Sequence, residues 1–229
     1  LHKPEKISKS LLKLFSRIQP WYIAILSASL YFTIEYLSEN EGRSFLILKN
    51  IPAHSAAYMI TIAWLGYALG CPLMGLLSDM LERRKTILQF CALVALSSII
   101  TILYAQNKLP LQIAFFALGV SASGQSIGFA TVAEQFNKQF VAIGFGLNNA
   151  IIMTIAAINA PLIGLLLDYT KTNNHASIND YLLVFNLLIF VAIIAVIISF
   201  FSIKETYCKS AVGFSIITPK KKEDYSRLP

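Results

Sequence analysis

Residues 75–85 read Gly75-Leu-Leu-Ser-Asp79-Met-Leu-Glu-Arg83-Arg84-Lys85 and connect two long apolar stretches of the chain. A carboxylate near the end of one stretch is thus followed by three consecutive cations before the next stretch begins. Basic residues are retained in the cytoplasmic loops of membrane proteins. The segment therefore predicts a cytoplasmic connection between two membrane-spanning helices, and the sequence on both sides tests that interpretation.

The sequence around this segment forms six apolar runs. The chain has 229 residues, of which 56% are hydrophobic and 14% charged, whereas soluble domains are about a quarter charged. A helix needs roughly 20 residues to cross a hydrocarbon layer about 30 Å thick. Short alternating segments, which indicate a transmembrane barrel, do not occur. We therefore predict an all-α membrane protein whose six transmembrane helices occupy residues 18–39, 56–78, 86–105, 111–134, 140–167 and 181–203.

The basic residues between the runs predict how the helices are oriented. Most Lys and Arg residues lie on the side of residues 75–85, and those on the other side are Arg43, Lys49, Lys108 and Lys171. By the positive-inside rule, both termini are then cytoplasmic. Lipid surrounds the bundle in this interpretation.

Three parts are predicted along the chain. Residues 1–17 form a basic amphipathic linker at the cytoplasmic interface, or else an ordinary linker before the first span. Residues 18–203 form the six-helix bundle, and residues 204–229 form a basic cytoplasmic tail that we expect to be disordered. Because the chain opens on Leu1 and not on Met, we expect a fragment, a decayed reading frame or a trimmed chain.

Polar side chains inside the first, fourth and fifth runs predict a pathway through the bundle. Polar atoms at membrane depth face a bundle interior or a watery cavity. Glu35 is the sharpest candidate, because an intramembrane carboxylate costs on the order of a few kcal/mol unless it is paired or protonated. Alternatively, the first helix ends early and Glu35 lies among lipid headgroups. The predicted substrate or ion pathway comprises Ser27, Tyr31, Glu35, Glu39, Gln125, Asn148 and Asn149.

Small residues at a spacing of four predict close contacts between helices. Such spacing places them on one helix face, where they let two backbones approach each other. The three sets are Gly66 with Gly70, Gly124 with Gly128, and Ala142 with Gly146 and Ala150.

Residues 75–85 also resemble the loop signature of the major facilitator superfamily, G-x-L-a-D-R/K-x-G-R-R/K-R/K. Met80 replaces a basic residue of that signature, and Glu82 replaces its glycine. Residues 133–138, 144–150, 161–168 and 204–208 are similar to further stretches of the carboxyl-terminal half of bacterial members. The conformational loop motif that matches comprises Gly75, Leu77, Asp79, Arg83, Arg84 and Lys85.

The resemblance implies a fold of two six-helix bundles around a central cavity, with this chain as the carboxyl-terminal bundle in a bacterial inner membrane. It implies secondary active transport of a small solute by alternating access, with Glu35 as a candidate proton carrier. The loop motif would couple the two bundles, and Asp79 would bind the N-terminus of a neighbouring helix. The implied partner is the amino-terminal bundle or a second copy of this chain.

Other functions receive less support from the sequence. A non-transporting membrane remnant or scaffold stays open as the alternative, whereas the filter sequence of a potassium channel is absent. No HExxH pair occurs, and the GxSxG sequence at residues 124–128 lies within a predicted membrane span and not at the strand-to-helix turn of a nucleophile elbow, so we do not predict an enzyme. No phosphate-binding loop indicates a nucleotide, and no cofactor is expected. Nucleic-acid binding is not predicted despite the net charge of +7, because no basic-aromatic motif accompanies it.

Overall fold

The computed structural model describes residues 16–136, 140–171 and 176–209, and within these ranges the chain is helical without any β-strand. The predicted all-α class is confirmed. Most of the predicted segment 1–17 and of the predicted tail 204–229 lies outside the described residues. The helices are α1 (Ile18–Glu39), α2 (Gly42–Leu48), α3 (Ala53–Leu81), α4 (Arg84–Tyr104), α5 (Lys108–Ala122), α6 (Gly124–Gln135), α7 (Val141–Thr170) and α8 (Ile178–Ile197), which a π-helical turn, Ile198–Ser202, extends.

Five helical units in the described part of the chain are long and apolar enough to cross a membrane. The first predicted span, α1, has 22 residues, but it is less apolar than the others because it carries serines, a threonine and carboxylates. Most of its residues are buried, and it packs against α5, α6, α7 and α8. A helix enclosed by protein does not need the apolar surface that lipid requires. The five units are α3, α4, α5 with α6, α7, and α8 with its π-helical turn.

Three local features depart from a simple series of straight spans. The predicted fourth span is divided between α5 and α6 at Ser123, whose hydroxyl donates to the carbonyl of Val120 at 2.6 Å. The short helix α2 follows α1 and was not predicted. The last span ends in a π-helical turn, in which each N–H bonds one residue further back than in an α-helix.

Glycines set the close approach of α3 to α5 and of α6 to α1. A Cβ atom on Gly66 would lie 2.3 Å from the carbonyl oxygen of Phe116, and one on Gly128 would lie 2.0 Å from Ser27 Oγ. Both distances are shorter than van der Waals contact, so a larger residue would separate the helices. The close contacts with other helices that were predicted for the first two sets, Gly66 with Gly70 and Gly124 with Gly128, are confirmed.

The third small-residue set behaves differently. Ala142, Gly146 and Ala150 are all exposed on α7, and a Cβ atom on Gly146 would meet no atom within 4 Å. The face predicted for close packing is therefore open in this bundle.

Candidate functional site

Three aromatic rings meet between α1 and α3. Tyr31 projects from α1, and Trp64 and Tyr67 project from α3, where a spacing of three residues places both on one face. The ring centroid of Tyr31 lies 6.4 Å from that of Trp64 and 5.9 Å from that of Tyr67, and the centroids of the two α3 rings are 5.8 Å apart. The interplanar angles are 64°, 60° and 88°. The three half-buried rings are thus steeply inclined to one another, and we call them the aromatic corner.

A hydrogen bond joins the aromatic corner to α6. The hydroxyl of Tyr67 donates to Gln125 Oε1 at 2.9 Å, and the Gln125 side chain is buried. On the next position of α6, Ser126 Oγ lies 3.3 Å from Cys71 Sγ of α3. These contacts hold the α3 face against α6. The structure thereby brings two predicted pathway residues, Tyr31 and Gln125, to one group.

Two carboxylates extend this group along α1. Glu35 follows Tyr31 by one helical turn, on the same face, and its side chain is partly buried. Within the described part of the chain, Glu35 has no hydrogen-bond or ion-pair partner. Glu39 lies one further turn along, at the last residue of α1, and is exposed.

The remaining predicted pathway residues lie in different surroundings. Ser27 is fully buried where α1 meets Gly128 of α6, and its hydroxyl has no partner. Asn148 is buried to 1% exposure with both amide atoms unpartnered, whereas Asn149 is exposed on α7. Ser27 is therefore enclosed by helix packing, and Asn149 lies on the open α7 face described above.

The loop motif forms a second polar group, at the end of the bundle where α3 leads into α4. The Arg84 guanidinium donates through Nη1 to Asp79 Oδ1 at 2.6 Å and to Ser78 Oγ at 3.0 Å. Its Nε donates to Glu134 Oε1 of α6 at 3.0 Å. The side chains of Arg84 and Glu134 are each 11% exposed, whereas that of Asp79 is 64% exposed. Arg84 therefore joins three helices, since it begins α4 and binds residues of α3 and α6.

The segment after the last helix completes this group. Glu205 accepts hydrogen bonds from the backbone N–H of Arg84 at 2.8 Å and of Lys85 at 3.2 Å. These N–H groups belong to the first turn of α4, where no carbonyl within the helix can bind them. Thr206 Oγ1 donates to the second carboxylate oxygen of Glu134. We call Asp79, Arg84, Glu134, Glu205 and Thr206 the polar clasp.

Two more residues border the polar clasp. Glu82, between α3 and α4, adopts a left-handed conformation with φ of 52°, at the position where the loop signature has glycine. The Cys208 thiol lies 3.5 Å from the carbonyl of Ser78, and its burial raises the pKa of this thiol. Among the predicted motif residues, Arg83 is exposed, and a Cβ atom added to Gly75 would meet no atom within 4 Å. Within this chain, Asp79 binds Arg84, and Glu205 caps the N-terminus of α4.

Sequence reasoning missed five residues of these two groups: Trp64, Tyr67, Glu134, Glu205 and Thr206. Trp64 and Tyr67 could have been found, because with Cys71 they recur at spacings of three and four and so share one face of the predicted span. Glu134 ends a predicted span, and Glu205 follows another by two residues. No local pattern indicates that these two carboxylates converge on Arg84.

Sequence comparison places this architecture in a family. The sequence model of the Major Facilitator Superfamily matches residues 14–213. The chain belongs to the major facilitator superfamily. It is thus an integral membrane protein, and residues 75–85 of this superfamily member lie inside the matched region.

A bacterial relative is similar over a large part of this superfamily chain. A protein of Rickettsia bellii (strain RML369-C), described as an uncharacterized transporter, is 28% identical over 166 residues. The similar region covers 70% of this chain and 39% of the Rickettsia protein. The chain therefore spans well under two thirds of the length of this relative.

Proposed function

We propose that this chain is the carboxyl-terminal bundle of a secondary transporter for a small solute, which works by alternating access with a second bundle. Membership of the superfamily and similarity to a protein named as a transporter support solute transport. In this proposal both termini are cytoplasmic, in a bacterial inner membrane, so that the polar clasp lies at the cytoplasmic end.

The observation that carries the proposal is the open face of α7. This face combines the small residues Ala142, Gly146 and Ala150 with the amide of Asn149, and all four are exposed. Lipid would contact the small residues poorly and would leave the amide without a hydrogen-bond partner. A helix of another bundle can approach closely over the small residues and bind the amide. The face thus suits protein or cavity water better than lipid.

The aromatic corner and the polar clasp would have separate roles in this transporter. The aromatic corner and Glu35 would contact the solute, because they combine partly exposed rings with an unpartnered carboxylate. The polar clasp would hold α3, α4 and α6 together as one unit while the bundles rock against each other. Glu35 would carry the coupling proton, because a carboxylate without a fixed cation partner can bind and release one.

The proposal is tested by reconstitution. The full chain is placed in liposomes alone and together with an amino-terminal bundle of the superfamily, and uptake of a panel of labelled solutes is measured under an imposed pH gradient. We expect uptake only when both bundles are present. Uptake by a monomer of this chain alone would contradict the half-transporter assignment.

A variant tests the α7 face directly. Gly146→Leu adds bulk where a Cβ atom meets nothing in this bundle, so the bundle should still fold. We expect loss of co-purification with the second bundle, since the added side chain prevents close approach. The matched control is Ile193→Phe on the outer surface of α8, where Ile193 is 40% exposed, and co-purification should persist. Equal behaviour of the two variants would place the α7 face against lipid.

A further inference from the structure

The aromatic corner has the geometry of a binding site for a cation. Its three rings pack edge to face at 60° to 88° with centroids 5.8–6.4 Å apart, so a small group at their exposed side can contact more than one ring. The rings are partly exposed, and the hydroxyl of Tyr67 is fixed by Gln125. A cation within about 6 Å of an aromatic centroid is attracted by the negative potential of the ring face.

The charges around the corner favour the same class of ligand. Glu35 lies one turn from Tyr31 on the same face, about 6 Å further along the axis at 1.5 Å per residue, and it has no partner among the described residues. Its nearest charged neighbour along α1 is Glu39, which is also negative. Helices α1, α3, α6 and α7 contain no Lys or Arg. No fixed cation on these four helices can neutralise Glu35.

We propose that the aromatic corner and Glu35 bind a monovalent organic cation of the substituted ammonium class, and that this cation is the transported solute. The proposal rests on the proposed transport function and adds the substrate class. The ammonium group lies against Tyr31, Trp64 and Tyr67, and Glu35 supplies the counter-charge. An anion would face a carboxylate without any Lys or Arg on these helices, and a neutral solute would gain nothing from that carboxylate.

A matched pair of probes measures the contribution of the ligand's positive charge to binding. Choline and 3,3-dimethylbutan-1-ol have nearly the same shape, but only choline is charged. Their binding is measured by isothermal titration calorimetry on the purified full chain, and again on the chain co-purified with a second bundle. We expect choline to bind roughly tenfold more tightly than the neutral alcohol. Equal binding of both probes, or no choline binding in either preparation, would overturn the proposal.

Variants locate the binding to these residues. Trp64→Leu should weaken choline binding roughly tenfold, whereas Trp64→Phe, which keeps a ring, should lose less. Glu35→Gln should also weaken it roughly tenfold, because the counter-charge is removed. The control is Asp168→Asn, which removes an exposed carboxylate on α7 paired with Lys171, and binding should be unchanged. Choline binding that none of the Trp64 and Glu35 variants alters would place the cation elsewhere and overturn the assignment.

The two proposals fail in distinguishable ways. Choline binding with the expected variant pattern but without uptake would sustain the cation site and contradict transport of this class. Uptake of an anion or a neutral solute without choline binding would sustain the transporter and overturn the cation assignment.

Discussion

The Nε atom of Arg84 lies 3.0 Å from Oε1 of Glu134, and both side chains are only 11% exposed. The two residues are separated by 50 positions and belong to α4 and α6, so the pair fixes two helices that are distant in sequence. Arg84 also binds Asp79, and Glu134 also accepts from Thr206. Each member of the pair therefore has a further partner, which satisfies more of its hydrogen-bonding groups than an isolated ion pair could.

Replacing Arg84 should cost much more stability than replacing its neighbour. Arg84→Ala leaves Glu134 largely buried without its cation, and we expect a loss of about 2–3 kcal/mol in the free energy of unfolding. Arg83→Ala removes an exposed cation and should change it by less than about 0.5 kcal/mol. Thermal unfolding of both purified variants in detergent measures the difference. Similar melting temperatures would mean that the Arg84 pair adds no stability.

Glu205 should control the first turn of α4. Glu205→Ala leaves the N–H groups of Arg84 and Lys85 without their acceptor, which should cost about 1 kcal/mol. We expect faster hydrogen exchange at these two amides and a smaller effect in Glu205→Gln, which keeps one acceptor oxygen. Lys204→Ala serves as the control, because the described contact of Lys204 is made by its backbone N–H. Unchanged exchange in Glu205→Ala would show that water replaces the cap at no cost.

A stabilising substitution is available at Glu82. Its φ of 52° lies in the left-handed region, which costs a residue with a Cβ atom about 1–2 kcal/mol and costs glycine little. After allowing for the greater freedom of glycine in the unfolded chain, Glu82→Gly should stabilise the fold by about 0.5–1 kcal/mol. Glu82→Ala keeps the steric penalty and should bring no comparable gain. A melting temperature equal in the two variants would refute the backbone explanation.

The sequence predicted the helices better than it predicted their partners. Hydropathy placed α1 at residues 18–39 because a span must be about 20 residues long. The spacing of four between Gly66 and Gly70, and between Gly124 and Gly128, predicted close contacts between helices. The break at Ser123 was missed, since α5 and α6 together form one continuous apolar run and hydropathy does not register a one-residue interruption of a helix. Glu82 departs from the glycine of the loop signature, and the structure nevertheless holds it in the left-handed conformation with φ of 52°.

Long-range polar contacts could not be predicted from local patterns. Lys49 was interpreted only as one of few cations on the side opposite residues 75–85. The structure buries it, its ammonium donates to the carbonyls of Ile102, Leu103 and Ala105 at the end of α4, and burial lowers the pKa of Lys49 to about 8. Such a contact depends on how the fold brings Lys49, which follows α2, to the end of α4, and no spacing within either helix reports that. The same holds for Glu205 at the other end of α4.

If Glu35 carries the coupling proton, its replacement should separate proton-driven accumulation from solute exchange. An amide cannot bind and release a proton at this position, so Glu35→Gln should abolish accumulation driven by a pH gradient. Exchange of labelled against unlabelled solute needs no net proton movement, and it should persist at saturating solute concentrations. Glu39→Gln, on the exposed end of α1, should retain both activities because it lies beyond the aromatic corner. Both assays are made in the same liposomes containing the two bundles. Gradient-driven accumulation by Glu35→Gln would assign the proton to another group, whereas loss of exchange as well would mean that Glu35 is required for solute movement itself.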